Sequence, residues 1–294
     1  MNRILFQLYR IIVPKPVRTF ILKKTLRLKI LNYYDSLPEE QLTGELQEVI
    51  SFLRKNPLEI FPYSFGPKYK KENIEVLTDP GLKLKYVIHE GKRLYFRRGW
   101  SNARIQRGWN DLLREQDPGS PHRYCEGAFV PGPEDVIADI GAAEGNFSLS
   151  MVEKVKKIYI FEFDRRWAEA LRATFAPWKD RVEIVNKYAG DRNDQTHVTI
   201  DTFFGSREFP TFLKIDVDGA EDSVLRGCNR IFQSGRPMKV ALCTYHKNDD
   251  ENIFTTFLGN VGFTATPSSG YMINYYDKKM KAPYLRRGLL RAVR

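Results

Sequence analysis

The middle of the chain alternates short apolar runs with amphipathic segments, a pattern that predicts a sheet covered by helices. Residues 136–140 form a continuous apolar run that is typical of a strand buried on both faces, and a glycine turn and a helical segment follow it. Further strands are predicted at 159–161, 182–185, 212–216, 238–244, 262–266 and 271–276. This alternation predicts a doubly wound, Rossmann-like α/β sheet with its chemistry at the carboxyl ends of the strands.

The predicted sheet domain covers residues 133–277, and three other segments surround it. Residues 1–35 form a basic amphipathic N-terminal segment that Pro14 and Pro16 interrupt. Residues 36–132 form an accessory region with a helix opened by a capping box at 36–39, small strands, and a polar loop on the substrate side. Residues 278–294 form a basic C-terminal tail.

Charge is distributed unevenly over the 294 residues, although 42% hydrophobic content predicts a globular core. Fifteen of the 47 Lys and Arg residues lie in 1–30 and 278–294, where there is no acidic residue. The body between these segments carries 32 basic against 36 acidic residues, so it is mildly acidic. The three widely spaced cysteines show no metal-ligand pattern and indicate a reducing compartment.

The basic ends suggest three kinds of partner. A basic amphipathic segment can lie on an anionic membrane surface, or both ends can pack on the body or on another subunit of a homo-oligomer. Nucleic acid is disfavoured because the body lacks a basic stripe with interleaved aromatics. No apolar run approaches the ~20 residues that span a bilayer. We therefore expect a cytoplasmic protein, and leave open a peripheral position on the inner face of the cytoplasmic membrane.

The glycine turn after the first strand predicts a nucleoside ligand. Glu162 follows Gly141 by 21 residues, a spacing that suits a carboxylate accepting hydrogen bonds from ribose hydroxyls. Ala143 occupies the position where a dinucleotide fingerprint needs glycine, which disfavours pyrophosphate. Asp139 and Glu144 favour a cationic ligand instead. S-adenosylmethionine, a sulfonium with an ammonium group and a ribose, fits this site better than a nicotinamide cofactor.

A resemblance to a known family rests on residues 214–221, KIDVDGAE, together with the Asp139-x-Gly141 turn and residues 199–204. These motifs resemble the FkbM-type family of class I S-adenosylmethionine-dependent methyltransferases, over roughly residues 133–276. The resemblance implies a seven-stranded sheet with its last strand antiparallel, and methyl transfer to hydroxyl oxygens, often of sugars or polyketides. Residues 120–124 and 244–247 are also similar to a subgroup associated with bacterial surface-polysaccharide synthesis.

The motifs supply candidate site residues. O-methylation needs an acceptor oxygen held in line with the sulfonium methyl and a base for its proton; His246 is the first candidate base and His122 the second, unless either is a structural histidine. Asp216 would hold the methionine ammonium or orient the acceptor. The predicted cofactor site comprises Asp139, Gly141, Ala143, Glu144, Gly145, Asn146, Glu162, Phe163, Asn186 and Asp216. The predicted substrate site comprises His122, Arg123, Tyr124 and Tyr245.

These features predict an S-adenosylmethionine-dependent O-methyltransferase that acts on a sugar hydroxyl of a bacterial polysaccharide or lipid-linked glycan. A Mg²⁺ ion on Asp216, Asp218 and His246 is an alternative that we do not favour. Two other functions stay open, a non-catalytic cofactor-binding subunit and a methyltransferase for another small molecule or for nucleic acid. A nucleic-acid N-methyltransferase is disfavoured because Asp216-Val-Asp-Gly replaces the usual Asn/Asp-Pro-Pro-aromatic segment.

Overall fold

The computed structural model describes residues 13–294, and a seven-stranded sheet forms its centre. The strands, in chain order, are β1 (Leu77–Thr78), β2 (Lys85–His89), β3 (Lys92–Tyr95), β4 (Val136–Ile140), β5 (Lys157–Phe161), β6 (Val182–Val185), β7 (Tyr188–Ala189), β8 (His197–Val198), β9 (Phe212–Ile215), β10 (Lys239–Cys243), β11 (Thr264–Pro267) and β12 (Leu289–Val293). The central sheet has the order β11-β12-β10-β9-β4-β5-β6, and β12 runs antiparallel to both of its neighbours. This topology confirms the predicted class I methyltransferase fold.

Nine α-helices lie within the described residues, and the longest is at the N-terminal side. They are α1 (Lys15–Asp35), α2 (Gly44–Lys55), α3 (Asn102–Glu115), α4 (Asn146–Met151), α5 (Ala168–Phe175), α6 (Ile200–Phe203), α7 (Glu221–Arg226), α8 (Asn229–Gln233) and α9 (Asp250–Asn260). Across residues 13–294, no helix has the length and apolarity to cross a membrane. The first twelve residues of the predicted amphipathic segment lie outside the described residues.

Apolar clusters cover both faces of the central sheet, which explains why its strands are continuously hydrophobic. All five residues of β4 are buried. Ile137 and Phe212 belong to the cluster on one face, whereas Ala138 and Leu213 belong to the cluster on the other. Alternate residues of a strand point to opposite faces, so both sets must be apolar when helices cover both sides.

The accessory region begins with α1 and α2, which share a third apolar cluster with the segment that follows β11. Ile30 and Leu53 pack there with Ile273. The predicted capping box at 36–39 is wrong as a helix start, because only a short 3₁₀ turn, Glu39–Gln41, forms there. Helix α2 begins later, where the Thr43 side chain accepts a hydrogen bond from the Leu46 N–H.

The predicted basic tail at 278–294 is wrong, because its last part is the inner strand β12. The arginines beside this strand bind other parts of the fold: Arg291 donates to the Arg123 carbonyl, and Arg294 donates to the Val261 carbonyl. Arg286 is 5% exposed and forms an ion pair with Asp277. Several arginines of this stretch therefore bind carbonyl or carboxylate groups of the same protein.

The strand predicted at 271–276 is also wrong. A single bridge between Met272 and Arg286 forms there instead. The apolar side chains that suggested a strand, Met272 and Ile273, are buried in the third cluster against α1 and α2. Hydrophobicity at these positions reflects packing under the N-terminal helices rather than membership of the sheet.

Candidate functional site

A cavity of about 350 Å³ opens at the carboxyl ends of β4, β5 and β9, where a doubly wound sheet places its ligands. It is lined by seven residues of the predicted cofactor site: Gly141, Ala143, Glu144, Asn146, Glu162, Phe163 and Asp216. Tyr124 and Tyr245 of the predicted substrate site also line it. We call it the first cavity.

The floor of the first cavity depends on two glycines. Gly141 has φ of +78°, and a Cβ there would lie 1.9 Å from the Asp216 carbonyl oxygen. Gly145 has φ of +81°, and its Cβ would lie 2.9 Å from the Leu171 Cδ2 atom. At positive φ, glycine is favoured at both positions, since a Cβ would clash with backbone at Gly141 and with packed side chains at Gly145. Gly145 thus shapes the turn without lining the cavity.

Glu162 is fixed at the end of β5 by two backbone donors. Its Oε2 atom accepts a hydrogen bond from the Ala143 N–H at 2.8 Å, and Oε1 accepts one from the Asp164 N–H at 2.7 Å. Burial raises the pKa of this carboxyl, and the two N–H groups oppose the shift. The remaining lone pairs of a carboxylate held in this way can accept hydrogen bonds from a pair of hydroxyls.

Asn186 does not line the first cavity, contrary to the prediction. Its side chain is exposed, and Nδ2 donates to the backbone carbonyls of Glu162 at 2.7 Å and Phe163 at 3.1 Å. Its neighbours Lys187 and Tyr188 line the cavity instead. Asn186 therefore stabilises the backbone at Glu162 and Phe163 without lining the cavity.

Asp139 is also wrong as a ligand-facing acid, because it is 0% exposed and neutralised inside the protein. Its Oδ1 lies 3.2 Å from the Lys214 Nζ atom, and its Oδ2 accepts a hydrogen bond from the Ser148 hydroxyl at 2.7 Å. Burial alone would lower the pKa of Lys214, but the Asp139 and Asp216 carboxylates outweigh it and raise that pKa. Lys214 also donates to the Gly141 carbonyl at 2.6 Å, which ties this ion pair to the turn.

Glu144 lines the first cavity, but its charge differs from the expectation. Burial raises the pKa of this carboxyl to about 8, so most of it is protonated at neutral pH. The negative charge expected at the turn from Asp139 and Glu144 is therefore largely absent. Asp216 is the ionised carboxylate on this side of the cavity.

Asp216 accepts hydrogen bonds from two tyrosines that line the same cavity. The Tyr124 hydroxyl donates to Oδ2 at 2.8 Å, and the Tyr245 hydroxyl donates to Oδ1 at 3.3 Å. Burial would raise the pKa of Asp216, but His122 and Lys214 outweigh it and lower that pKa. Asp216 is consequently an anion with a fixed orientation.

His122 and Arg123 do not reach the cavity, contrary to their predicted roles. His122 is 1% exposed, and its Nε2 atom lies 3.5 Å from Asp216 Oδ2. Its ring packs against Phe61 and Tyr245. Arg123 lines a different cavity, beside Trp109, and that cavity shares Leu112 and Asn146 with the first cavity. His122 therefore contacts Asp216 from the interior of the protein, and its ring cannot reach a substrate hydroxyl in the cavity.

A second cavity, of about 580 Å³, adjoins the first. The two cavities share Glu115, Asp218 and Tyr245. The rest of the second cavity is polar and aromatic, and it is lined by Ile60, Gly219, His246, Lys247, Met272, Asn274, Tyr276 and Asp277. Two cavities that meet at shared side chains can hold two ligands with their reactive ends together.

His246 lies in the second cavity among three carboxylates. Its Nδ1 is 2.9 Å from Glu221 Oε1, and its Nε2 is 3.7 Å from Asp218 Oδ1 and 3.8 Å from Asp216 Oδ1. Burial alone would lower the pKa of His246, but these carboxylates raise it to about 10. Charge pairing with these carboxylates therefore favours the imidazolium at neutral pH, which argues against the predicted role of His246 as the base.

Asp216, Glu221 and His246 each offer a ligand atom within 4.8 Å of the other two, a spacing that can surround a cation. The predicted metal set contained Asp218 in place of Glu221. Glu221 Oε1 already accepts hydrogen bonds from the Val217 N–H at 3.0 Å and the Gly219 N–H at 3.3 Å. A divalent ion would also have to displace the imidazolium proton.

Glu115 and Lys214 are among the site residues that were not predicted from the sequence. Glu115 ends α3 and lines both cavities. Burial raises its pKa to about 7, and Asp216 and Asp111 add to this shift while His122 and Lys214 oppose it. The sequence gives no signal for Glu115 beyond its place at a helix end. The sequence does give a signal for Lys214, because this residue is charged and lies inside the buried strand β9.

Comparisons with known proteins agree with this geometry. A family model described as the methyltransferase FkbM domain matches residues 178–263, which include the KIDVDGAE segment. The ribosomal RNA small subunit methyltransferase A of Corynebacterium efficiens is 35% identical over 78 residues, a match that covers 25% of this chain and 26% of that protein. The chain therefore spans about a quarter of the length of this curated relative.

Solved structures of methyltransferases are also similar to the chain. The methyltransferase FkbM of Methylobacillus flagellatus is 18% identical, with a TM-score of 0.44 over 64% of this chain and 54% of that one. A putative methyltransferase of Streptococcus mutans, solved in complex with SAH, is 12% identical, with a TM-score of 0.37 over 56% of this chain and 90% of that one. The sheet topology is that of the class I methyltransferase fold, and residues 178–263 are similar to the FkbM methyltransferase domain.

Proposed function

We propose that the protein is an S-adenosylmethionine-dependent O-methyltransferase that acts on a sugar hydroxyl of a bacterial polysaccharide or lipid-linked glycan. The observation that carries this proposal is the junction of the two cavities at Glu115, Asp218 and Tyr245. The cofactor occupies the first cavity and the acceptor occupies the second. The methyl group crosses the junction between them.

The first cavity offers a group for each part of S-adenosylmethionine. Glu162 accepts hydrogen bonds from the ribose hydroxyls. Phe163 and Tyr188, whose ring centroids are 3.7 Å apart, provide an aromatic surface for the adenine. Asp216 is the fixed anion that pairs with the methionine ammonium. S-adenosylmethionine held by these residues would supply the electrophilic methyl group.

The reaction is an in-line displacement at the methyl carbon. The acceptor oxygen forms a bond to that carbon while the carbon–sulfur bond breaks, and the electron pair of the broken bond goes to sulfur. The acceptor proton passes to the Glu115 carboxylate, because this side chain lies at the junction. Tyr245 lies there too, but burial raises its pKa well above 10, so it cannot act as a base at neutral pH. His246 stays an imidazolium and orients the neighbouring carboxylates.

The acceptor is proposed from the lining of the second cavity. Asn274, Asp277 and Lys247 offer donors and acceptors of hydrogen bonds, and Tyr276 and Tyr245 offer aromatic faces. A ring with many hydroxyls and apolar C–H faces matches this combination. An RNA acceptor is a second candidate, favoured by the match to a ribosomal RNA methyltransferase. The mildly acidic body argues against RNA, since phosphate contacts need positive charge.

The cofactor part of the proposal is tested by calorimetry with S-adenosylmethionine. We expect binding to the intact protein and clearly weaker binding to Glu162→Ala. Glu183→Ala is a matched control, because Glu183 lies on the neighbouring strand β6 outside both cavities. No heat of binding with the intact protein would remove the cofactor proposal. The acceptor is tested by transfer of a radiolabelled methyl group to polysaccharide, lipid-linked sugar and RNA fractions, and label in RNA alone would reject the sugar.

The role of Glu115 is tested by Glu115→Gln on the fraction that accepts label. We expect methyl transfer to fall about 100-fold or more with cofactor binding retained, the usual loss for a general base. In the wild type the rate should rise with pH through about 7, as the Glu115 carboxyl loses its proton. Glu153→Gln, an exposed carboxylate outside both cavities, should leave the rate unchanged. A wild-type rate in Glu115→Gln would show that another group takes the proton.

A further inference from the structure

Helix α1 is apolar on two opposite sides, and only one of them is used by the fold. Leu26, Ile30 and Tyr34 are buried in the third apolar cluster. On the other side Phe20 is 67% exposed and Leu28 is 49% exposed. Large apolar side chains exposed together on one surface mark an interaction site more often than isolated ones do.

The exposed apolar residues share one side of α1, and the exposed Lys24 lies among them. Val17, Ile21 and Leu28 follow each other at spacings of four and seven residues, which places them on one side of a helix. Phe20 lies beside them at one edge. We call Val17, Phe20, Ile21 and Leu28 the outer face of α1.

Exposed lysines lie along the same helix, and one of them, Lys24, lies within the outer face. Lys15, Lys24 and Lys29 are exposed, and Asp35 is the first acidic residue in the sequence. Within residues 13–294, none of these three lysines forms an ion pair. An apolar stripe flanked by lysines is complementary to a surface with negative headgroups above hydrocarbon.

We infer that the outer face of α1 docks on the surface of an anionic lipid bilayer. The apolar side chains would enter the boundary between headgroups and acyl chains, while the lysines contact the headgroups. A second copy of the chain is a poorer occupant, because two outer faces would bring lysines of like charge together. The helix would lie along the surface, because it lacks the apolar length to cross a membrane.

Helix α1 also contacts the segment that lines the second cavity, through the side opposite its outer face. Lys23 lies 4.7 Å above the Tyr275 ring, and Tyr275 is flanked by Asn274 and Tyr276, which line that cavity. The Tyr34 hydroxyl donates to the Pro283 carbonyl at 2.7 Å, which fixes α1 to the same segment. Resting on the proposed function, this arrangement favours an acceptor sugar attached to a lipid. Membrane docking itself does not depend on the reaction.

Vesicle sedimentation of the full chain tests the inference. The vesicles contain phosphatidylcholine alone, or phosphatidylcholine mixed with phosphatidylglycerol. One variant carries Phe20→Ser with Ile21→Ser, and another carries Lys24→Glu with Lys29→Glu. The matched controls are Ile253→Ser, an exposed apolar residue of α9, and Lys278→Glu with Lys279→Glu, a second exposed lysine pair. Thermal unfolding verifies that each variant folds, and sedimentation equilibrium gives its mass in solution.

We expect the wild type to bind the mixed vesicles and to be released by high salt. Each α1 variant should partition at least about ten-fold more weakly, and the controls should bind like the wild type. The inference is overturned if the wild type does not sediment with the mixed vesicles, or if the Lys278 and Lys279 control loses as much binding as the Lys24 and Lys29 variant. It is also overturned if the Phe20 and Ile21 variant halves the mass in solution without affecting vesicle binding, since the outer face would then join two copies.

Discussion

Two groups of charged side chains lie near the end of β9, and they differ in how their charge is balanced. In the first, Lys214 is paired with Asp139, and both side chains are closed off from solvent. In the second, the single cation His246 faces the carboxylates of Asp216, Asp218 and Glu221, and the group opens into the second cavity. The first group holds the glycine turn in place through the hydrogen bond from Lys214 to the Gly141 carbonyl. The second has negative charge in excess, so it can respond to protons and to a ligand.

This difference corrects the electrostatic interpretation of the sequence. Asp139 of the first group and Asp216 of the second belong to the sequence motifs, and both were expected to face the ligand. Burial separates them: Asp139 is 0% exposed and neutralised, whereas Asp216 lines the first cavity and stays ionised. A motif acid is thus a ligand group only where no buried cation already neutralises it.

Loss of Lys214 should have the largest effect on stability. Lys214→Met leaves the Asp139 carboxylate buried without its cation, which should cost about 3–5 kcal/mol of the free energy of unfolding. Urea unfolding measures the loss. The double variant Asp139→Leu with Lys214→Met should recover much of it, because no uncompensated charge remains. A single variant as stable as the wild type would mean that the pair is not closed off from water.

Loss of His246 should have a smaller effect, because its group is nearer to solvent. His246→Gln leaves the buried Glu221 without its cation, and we expect a loss of about 1–3 kcal/mol in the same assay. Lys247→Gln is the control, because its side chain is 55% exposed beside the same strand. Equal unfolding curves for the two variants would contradict the ion-paired arrangement of His246.

The dependence of stability on pH should separate the two groups further. The pKa of His246 rises from 6.5 to about 10 on folding, so its stabilising contribution is complete below pH 6.5 and is lost as pH rises toward 10. The free energy of unfolding of the wild type should therefore fall over this interval. His246→Gln should lack this component, and Lys214→Met should retain it. If the free energy of unfolding of His246→Gln still falls between pH 6.5 and 10, that fall must come from another titratable group.

Asp218→Asn should have the smallest effect on stability. Asp218 belongs to the His246 group, but its side chain is fully exposed at 105%, so solvent screens its charge. We expect only a small loss of stability in urea unfolding at neutral pH and a correspondingly small fall in the pKa of His246 measured by NMR, because a neighbouring carboxylate is gone. An unchanged His246 pKa would remove Asp218 from the group.

The sheet could be predicted from the sequence because it is buried on both faces. Continuous apolar runs at β4, β5, β9 and β10 have no other common interpretation when a glycine turn and helices separate them. Strand β12 escaped prediction because arginines lie within and around it. Arg291 and Arg294 bind carbonyl groups that are distant in sequence, so their compatibility with an inner strand depends on the tertiary structure.

The candidate site was predictable only where the backbone dictates it. Gly141 and Glu162 follow from the turn and from the spacing of two strands. The proton states of His246 and Glu115 do not follow from sequence, because they depend on which charges the fold collects around each group. His122 looked reactive as an isolated histidine in a polar loop, yet that loop folds beneath Asp216.

The position of β12 constrains the order in which the sheet can assemble. Strand β11 precedes β12 in the chain but joins the sheet only through it, because β12 lies between β10 and β11. During synthesis β11 therefore emerges with no strand to pair with and must wait for β12. The apolar edge of β10 stays uncovered for the same interval. Strands β11 and β12 are thus the last to join the sheet. Until they do, the unpaired edge of β10 is the place where a nascent chain is most exposed to misassociation.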